Sequence, residues 1–404
     1  MSWRSGFRRL WASNAASNLG DGISFVAIPL LATALTSDPL LVAGTTIVHS
    51  AVRLLVVLPV GAFVDRWDRR RVLWLSNVGR GVLLAVFALA VASGAGSIGV
   101  LYLVLALIGV LETAADNAAL SILPALVDSD ELDRANSRIS GTQLVADEFV
   151  GPPLGGLLFA FAAAVPLAVT GGLYAAAGLV LLSLRGSFRA ERTNEVAANV
   201  ASDIADGVAW LRQHRPLRVL AVVGALASVG YMVPFSILVL FARDTLGLDP
   251  AGYGVLLSVS AVGGLLGAAA TPALRRRVGY ATTVTGSLML GAAMLAAISL
   301  TTTPWVVGLC LAAYILHVVI WGICVNSLRQ RLVPDALRGR VNAVFKLLGL
   351  IGLTVGALLG GVAASRFGLS APFLVGGAFF VGCAAMTWPA LRAWERKNAD
   401  LARG

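Results

Sequence analysis

Charge is scarce in this chain. Only 13% of its residues are Asp, Glu, Lys or Arg, roughly half the share that soluble domains carry. A hydrophobic content of 58% and a mean hydropathy of +0.84 are more apolar surface than a soluble core can hide, so the solvent for most of the chain is lipid. Lysine occurs only at Lys346 and Lys397, and arginine supplies the other basic positions. That bias points to a GC-rich bacterial genome. The 3 cysteines, Cys310, Cys324 and Cys383, fall inside apolar runs with no CxxC or histidine spacing. This excludes a disulfide framework, and no metal is expected. There is no GxxxxGK[ST] phosphate loop and no nucleophile–base constellation. ATP drive is therefore not expected, no catalytic residue is assigned, and the chain is not read as an enzyme. The amino terminus, MSWRSGFRRLW, lacks a cleavable signal pattern. A net charge of +10 raises the question of nucleic acid. The arginines, however, are spread over many short loops instead of one patch, so no nucleic-acid partner is expected.

What is present is a set of long apolar runs divided by short polar breaks. The most telling break lies in Gly61–Val72, GAFVDRWDRRRV, where Asp65 is followed by Arg66, Arg69, Arg70 and Arg71. A segment this polar cannot lie in hydrocarbon and must be a solvent-facing turn between two membrane helices. At about 20 residues per crossing, the breaks leave twelve spans. Taken alternately, they differ sharply in basic residues. Of the 31 Arg and Lys, Arg53, Arg80 and Lys346 lie within spans, and only Arg243 and Arg366 fall on one side of the membrane. All the others fall on the opposite side, with the two termini. The positive-inside rule then places both termini in the cytoplasm of a multi-pass protein of the bacterial cell membrane.

The longest break, from about Arg185 to Arg218, divides the chain into an amino-terminal six-helix bundle (1–184), a cytoplasmic linker (185–216), a carboxyl-terminal six-helix bundle (217–393) and a cytoplasmic tail (394–404). Within the linker, Ile204, Val208 and Leu211 recur at helical spacing, which predicts an amphipathic helix over Asp203–Arg215 on the membrane face. The halves echo one another. Gly61 and Asn136 recur as Gly267 and Asn342, each 206 residues later. Gly151, Gly155 and Gly156 recur as Gly356, Gly360 and Gly361, each 205 later. An offset shared by loop and helix positions signals duplication. Parallel six-helix repeats suggest an alternating-access carrier with its site between the halves.

The run Gly61–Leu73 resembles the loop motif between helices 2 and 3 of the major facilitator superfamily. Gly151-Pro152-Pro153-Leu154-Gly155-Gly156 resembles the core of that superfamily's antiporter motif. Leu19-Gly20-Asp21, the run Glu112–Leu126 and the run Gly207–Arg218 are similar to the drug:proton antiporter-3 group, whose members export macrolides, other antibiotics or siderophores. The resemblance covers essentially the whole chain. It implies an all-α fold of twelve transmembrane helices in two bundles. It also implies a gating role for Gly61, Asp65, Arg66, Arg69, Arg70, Gly151, Pro152, Gly155 and Gly156, with Asp65 as a clamp on the cytoplasmic side. Two departures stand out. Asp147 occupies a position where the antiporter motif has a small residue. In the second half Thr271 stands where Asp65 would recur, so that copy keeps Arg275, Arg276 and Arg277, and the carboxylate is expected in one half only.

Ionisable residues inside a membrane are costly and functional by default. At about 1.5 Å per residue, Asp21 lies roughly 18 Å beyond Arg9, near the midplane. Arg53 and Asp116 lie at similar depth, Glu112 is one turn from Asp116 on the same face, and Asp147 and Glu148 are well inside. Arg80 is placed nearer the cytoplasmic end of its span, where ion pairing is its expected role. His317 is midway along span 10, with Trp321 one turn below. The amino-terminal half thus presents an acidic, titratable wall, and the carboxyl-terminal half an apolar, aromatic one (Tyr231, Phe235, Trp321). Asp21, Glu112, Asp116, Asp147 and Glu148 are candidates for proton coupling or for structural pairing with Arg53 or Arg80; Arg53, His317 and Trp321 are candidates for the same proton and substrate site, and Arg80 is counted with the gating positions. The reading is a monomeric secondary transporter that exports a hydrophobic or amphipathic small molecule against protons, with the proton gradient as energy source and no cofactor. A facilitator or importer, and a non-transporting receptor on the same fold, are the alternatives.

Overall fold

The computed structural model describes residues 3–64, 67–128, 131–184, 188 and 200–401, and every regular element among them is helical. The helices are α1 Trp3–Leu35, α2 Pro39–Val64, α3 Arg69–Ala92, α4 Ile98–Ile122, α5 Leu132–Leu144, α6 Gly151–Phe161 and α7 Ala164–Leu182. They continue with α8 Val200–Gln213, α9 Arg215–Phe235, the short α10 Leu238–Leu240, α11 Pro250–Ser299, α12 Pro304–Leu332, α13 Arg338–Phe367 and α14 Ala371–Leu401. Among the described residues, 11 helical stretches are long and apolar enough to cross a membrane. One of them, α11, has 50 residues and is non-helical at Gly279 (φ 78°, ψ 176°). It is two helical lengths joined at a corner that a residue with a side chain rarely adopts.

Local chemistry sets the boundaries. Asp68 caps α3 by accepting the Arg71 amide at 3.1 Å, and Ser97 caps α4 by accepting that of Val100 at 3.3 Å. Asp38 and Asp249 do the same for Leu40 and Gly252 at the starts of α2 and α11, each just before a proline. Gly368, at φ 86°, ends α13.

The chain forms two compact units. One comprises Met1–Ser37, Val48–Val196 and Leu248–Ser258; the other comprises Asp38–Ile47, Ala197–Gly247 and Val259–Gly404. In the first unit α3 packs on α7 and α4, and α1 packs on α7 and α6. In the second, α9 packs on α13 and α14. The packing of α9 in the second unit repeats that of α1 in the first, as duplication predicts. The linker helix begins at Val200, and its apolar stripe is not left free for lipid. Gly207 and Leu211 are buried, a Cβ on Gly207 would stand 2.8 Å from the Arg340 carbonyl oxygen, and Asp206 pairs with Arg340 at 3.1 Å. The helix docks on α13.

Candidate functional site

In the first unit, Asp21 sits in the middle of α1 beside a buried arginine. Arg80, 3% exposed, donates from Nη1 to Asp21 Oδ1 at 3.4 Å and from Nη2 to Asn77 Oδ1 at 2.6 Å and Ser17 Oγ at 3.0 Å. Its guanidinium lies 4.1 Å from the ring centroid of Tyr174, whose hydroxyl donates to Asp21. A buried guanidinium is tolerable only when paired and hydrogen-bonded, and α1, α3 and α7 each supply part of that pairing. The sequence placed Arg80 nearer a helix end. It stands instead at the middle of α3, level with Asp21, because α3 begins at Arg69.

A second network joins α2 to α4. Arg53 donates from Nη1 to Glu112 Oε1 at 2.6 Å and from Nη2 to Asp116 Oδ2 at 2.8 Å, and His49 Nε2 lies 2.9 Å from Glu112 Oε2. One-turn spacing puts Glu112 and Asp116 on one face of α4 and His49 and Arg53 on one face of α2. The Asp116 side chain is 48% exposed, against 24% for Glu112. Both candidate carboxylates therefore already hold a cation.

Asp147 and Glu148 differ. They lie in a π-helical turn, Val145–Val150, that interrupts the α5–α6 span. Neither is ion-paired to Arg, Lys or His among the described residues, although the Gln143 side chain hydrogen-bonds Asp147. A π turn carries an extra residue in the helical ladder and is frequent at functional sites. This one packs against α1 at Gly22, where a Cβ would stand 2.8 Å from the Asp147 carbonyl oxygen.

The glycines of the antiporter-like run lie directly beyond that turn. A Cβ on Gly151 would stand 2.5 Å from Gly22 Cα, and one on Gly155 2.6 Å from the Ile23 carbonyl oxygen. A Cβ on Gly156 would run into the Pro250 carbonyl at the start of α11. The repeat is reproduced in the second unit. Gly356 and Gly360 meet the Val229 and Val233 carbonyls of α9, and Gly361 meets Leu40 at the start of α2. Pro152 is buried at the start of α6. Gly61 behaves differently: a Cβ there would meet nothing within 4 Å among the described residues, whereas one on its echo Gly267 would stand 2.7 Å from the Leu316 carbonyl oxygen.

Of the basic turn, Asp65 and Arg66 lie outside the described residues. The rest is tied to the segment after α7. Asp68 Oδ2 accepts the Phe188 amide at 3.2 Å, the Arg69 amide donates to the Phe188 carbonyl at 3.3 Å, and Arg70 Nη1 donates to the Leu184 carbonyl. The second-half turn was expected to lack a carboxylate. It receives one from the last helix: Glu395 Oε1 accepts the Ala281 amide at 3.1 Å, just past Gly279. Thr271, where Asp65 would recur, is buried and donates to the Gly267 carbonyl at 2.6 Å.

In the second unit, Tyr231 and Phe235 stack at 4.5 Å, and both face Tyr314. Tyr314 stacks on His317 at 4.8 Å, and Phe380 meets that ring edge-on. His317 is 1% exposed. Its Nδ1 lies 3.1 Å from the Tyr314 carbonyl oxygen, while Nε2 and the Tyr314 hydroxyl have no partner among the described residues. Trp321, expected in this wall, is half-buried and stands outside the stack; Tyr314 and Phe380 take its place. Sequence reasoning passed over His49, Asp68, Tyr174, Tyr314 and Glu395. The spacing of His49 to Arg53 was a usable signal. The others depend on contacts between distant segments.

A profile of the Major Facilitator Superfamily matches residues 10–353. The chain is 31% identical over 370 residues to the multidrug efflux pump Tap of Mycolicibacterium fortuitum, covering 88% of each chain. It is 23% identical over 421 residues to macrolide efflux protein A of Streptococcus pyogenes, covering 99% of this chain and 98% of that one. In fold it matches the crystal structure of a bacterial homologue of the iron transporter ferroportin in an inward-facing state. There the TM-score is 0.73 and the identity 19%, over 98% of this chain and 99% of that one.

Proposed function

The chain belongs to the major facilitator superfamily, and from that premise we propose that this membrane transporter is a proton-coupled exporter of hydrophobic or amphipathic small molecules such as antibiotics or siderophores. The two relatives named as efflux pumps support the direction and the substrate class. The corner at Gly279 supports counting α11 as two crossings. This gives twelve spans, and with the one-sided distribution of arginine it gives cytoplasmic termini. In this reading the transporter works as a monomer in the bacterial cell membrane, uses the proton gradient and needs no cofactor.

The observation that carries the coupling is the contrast among embedded carboxylates. Protonating Asp21 takes the carboxylate partner of the buried Arg80, a strongly destabilising loss, and protonating Glu112 or Asp116 takes one of the two carboxylates that hold Arg53. Protonating Asp147 breaks no ion pair. Its carboxylate also rides on a π turn whose backbone touches α1 at Gly22, so a change in its charge acts where the two helices are closest. Coupling requires protonation and substrate binding to favour different conformations. Asp147, with Glu148 beside it, meets that need without dismantling the Arg53 and Arg80 networks, which hold the acidic wall together. The aromatic group of Tyr231 and Phe235 supplies an apolar surface for the substrate. Asp65 serves as a cytoplasmic clamp, so Asp65→Asn impairs transport and leaves insertion intact.

Expression in a macrolide-sensitive, efflux-deficient bacterium tests the proposal. Cells carrying the protein should accumulate less macrolide, and a protonophore should abolish the difference. Accumulation unchanged by the protein across a panel of macrolides, cationic dyes and siderophores would overturn the export assignment.

A further inference from the structure

At the end of the second unit near Gly279, a cavity of about 340 Å³ is lined by Arg275, Arg276, Arg331, Tyr280, Trp394 and Asn398, with Glu395 at its edge. Arg275 is oriented by the fold: Nη1 donates to the Tyr280 hydroxyl at 2.7 Å, and the guanidinium lies 5.3 Å from that ring's centroid. The Trp394 ring meets the same tyrosine edge-on at 6.1 Å. Among the described residues none of the three arginines forms an ion pair. The acidic group present is already engaged, because Glu395 Oε1 accepts the Ala281 amide at 3.1 Å.

The duplicated turn in the first unit makes this unusual. There Arg70, the repeat counterpart of Arg276, donates to the Leu184 carbonyl, and Asp68 ties the turn to Phe188. Among the described residues the first-half turn is tied to the segment after α7, whereas the second-half turn borders a hollow with unmatched guanidinium groups. Planar guanidinium forks match phosphate oxygens two at a time. An aromatic pair beside them suits the membrane–water boundary, and basic pockets there hold anionic headgroups.

We propose that this cavity binds a phosphate group, either that of an anionic lipid headgroup or free phosphate. Arg276 and Arg331 grip the phosphate oxygens. Arg275 is held against Tyr280 as the third positive wall, and Trp394 covers the apolar side.

The test uses full-length protein purified in detergent and three probes: dioleoylphosphatidylglycerol, dioleoylphosphatidylcholine and inorganic phosphate. Arg276→Gln/Arg331→Gln removes the grip. Arg277→Gln, an exposed neighbour outside the lining, controls for surface charge. Phosphatidylglycerol or inorganic phosphate at about tenfold its Kd should raise the wild-type Tm by about 3 °C, with most of the rise lost in the double variant and kept in Arg277→Gln. A rise with phosphatidylglycerol that millimolar phosphate neither reproduces nor displaces assigns the site to lipid headgroups. A rise with inorganic phosphate, in competition with the lipid, assigns it to free phosphate. Equal rises in the double variant and wild type, equal rises with the two lipids, or an equal loss in Arg277→Gln would overturn the proposal. Because the readout is binding, its failure is separable from any failure of the export assignment.

Discussion

Arg80 and Arg53 show how single residues divide ion-paired carboxylates from those without a cation. Arg80 is 3% exposed and relies on Asp21, Asn77 and Ser17. Removing Asp21 as Asp21→Ala should therefore cost about 3–5 kcal/mol, read as a large fall in the thermal midpoint of the purified protein. Asp21→Asn keeps an oxygen to accept from Arg80 and should lose less than half of that. If Asp21→Ala melts with wild type, Arg80 does not depend on the pair. Asp147→Asn, which breaks no ion pair, should leave the midpoint within about 0.5 kcal/mol of wild type while abolishing proton-driven export; export at the wild-type rate would remove Asp147 from the coupling. At this scale the sequence was partly legible. Depth counting picked out Asp21, Glu112, Asp116, Asp147 and Glu148, because cost and rarity mark such residues. It did not separate those holding a cation from those without one, because the pairing of Asp21 with Arg80 and Tyr174 spans α1, α3 and α7.

Among the elements, the π turn Val145–Val150 was the feature least visible beforehand. Asp147 could be seen as a departure from the antiporter motif, but an extra residue in a helical ladder leaves no mark in apolar periodicity. Deleting Val145, an exposed residue of that turn, should let the helix close as a regular α-helix with its two ends nearly undisturbed. The expected outcome is protein that inserts and melts near wild type but no longer couples export to protons. Full export by the deletion variant would show that the turn has no working role. The glycines were more legible, since their equal spacing in the two halves announced equal packing. Gly151→Val places methyl groups where Gly22 already stands at 2.5 Å from a Cβ. It should lower stability by about 1–3 kcal/mol, whereas Gly61→Ala, facing open space among the described residues, should be neutral. A Gly151→Val protein as stable as wild type would mean that α1 and α6 do not meet at these residues. The linker helix shows the limit of periodicity: Ile204, Val208 and Leu211 revealed an apolar face, but only the contacts at Gly207 and Arg340 showed that α13 covers it.

Across the whole molecule, duplication is the organising fact. It was legible because composition, spacing and arginine placement all repeat. What the repeat could not convey is where the halves have diverged. The first unit keeps embedded carboxylates with their arginines, and the second has the aromatic group around Tyr314 and His317. The first basic turn is tied by Asp68, the second by Glu395, which lies far away in sequence and was invisible to a comparison of the turns alone. Under the proposed function, proton chemistry belongs to the first unit and apolar contact to the second. The measurement that tests it most directly is proton movement in proteoliposomes loaded with a pH-sensitive dye. Adding an exported macrolide to wild-type vesicles should drive protons opposite to the drug, in fixed ratio with drug flux, and Asp147→Asn should show neither coupled protons nor uphill drug movement. Drug flux with no proton movement in the wild type, or the same proton movement in both proteins, would contradict the account.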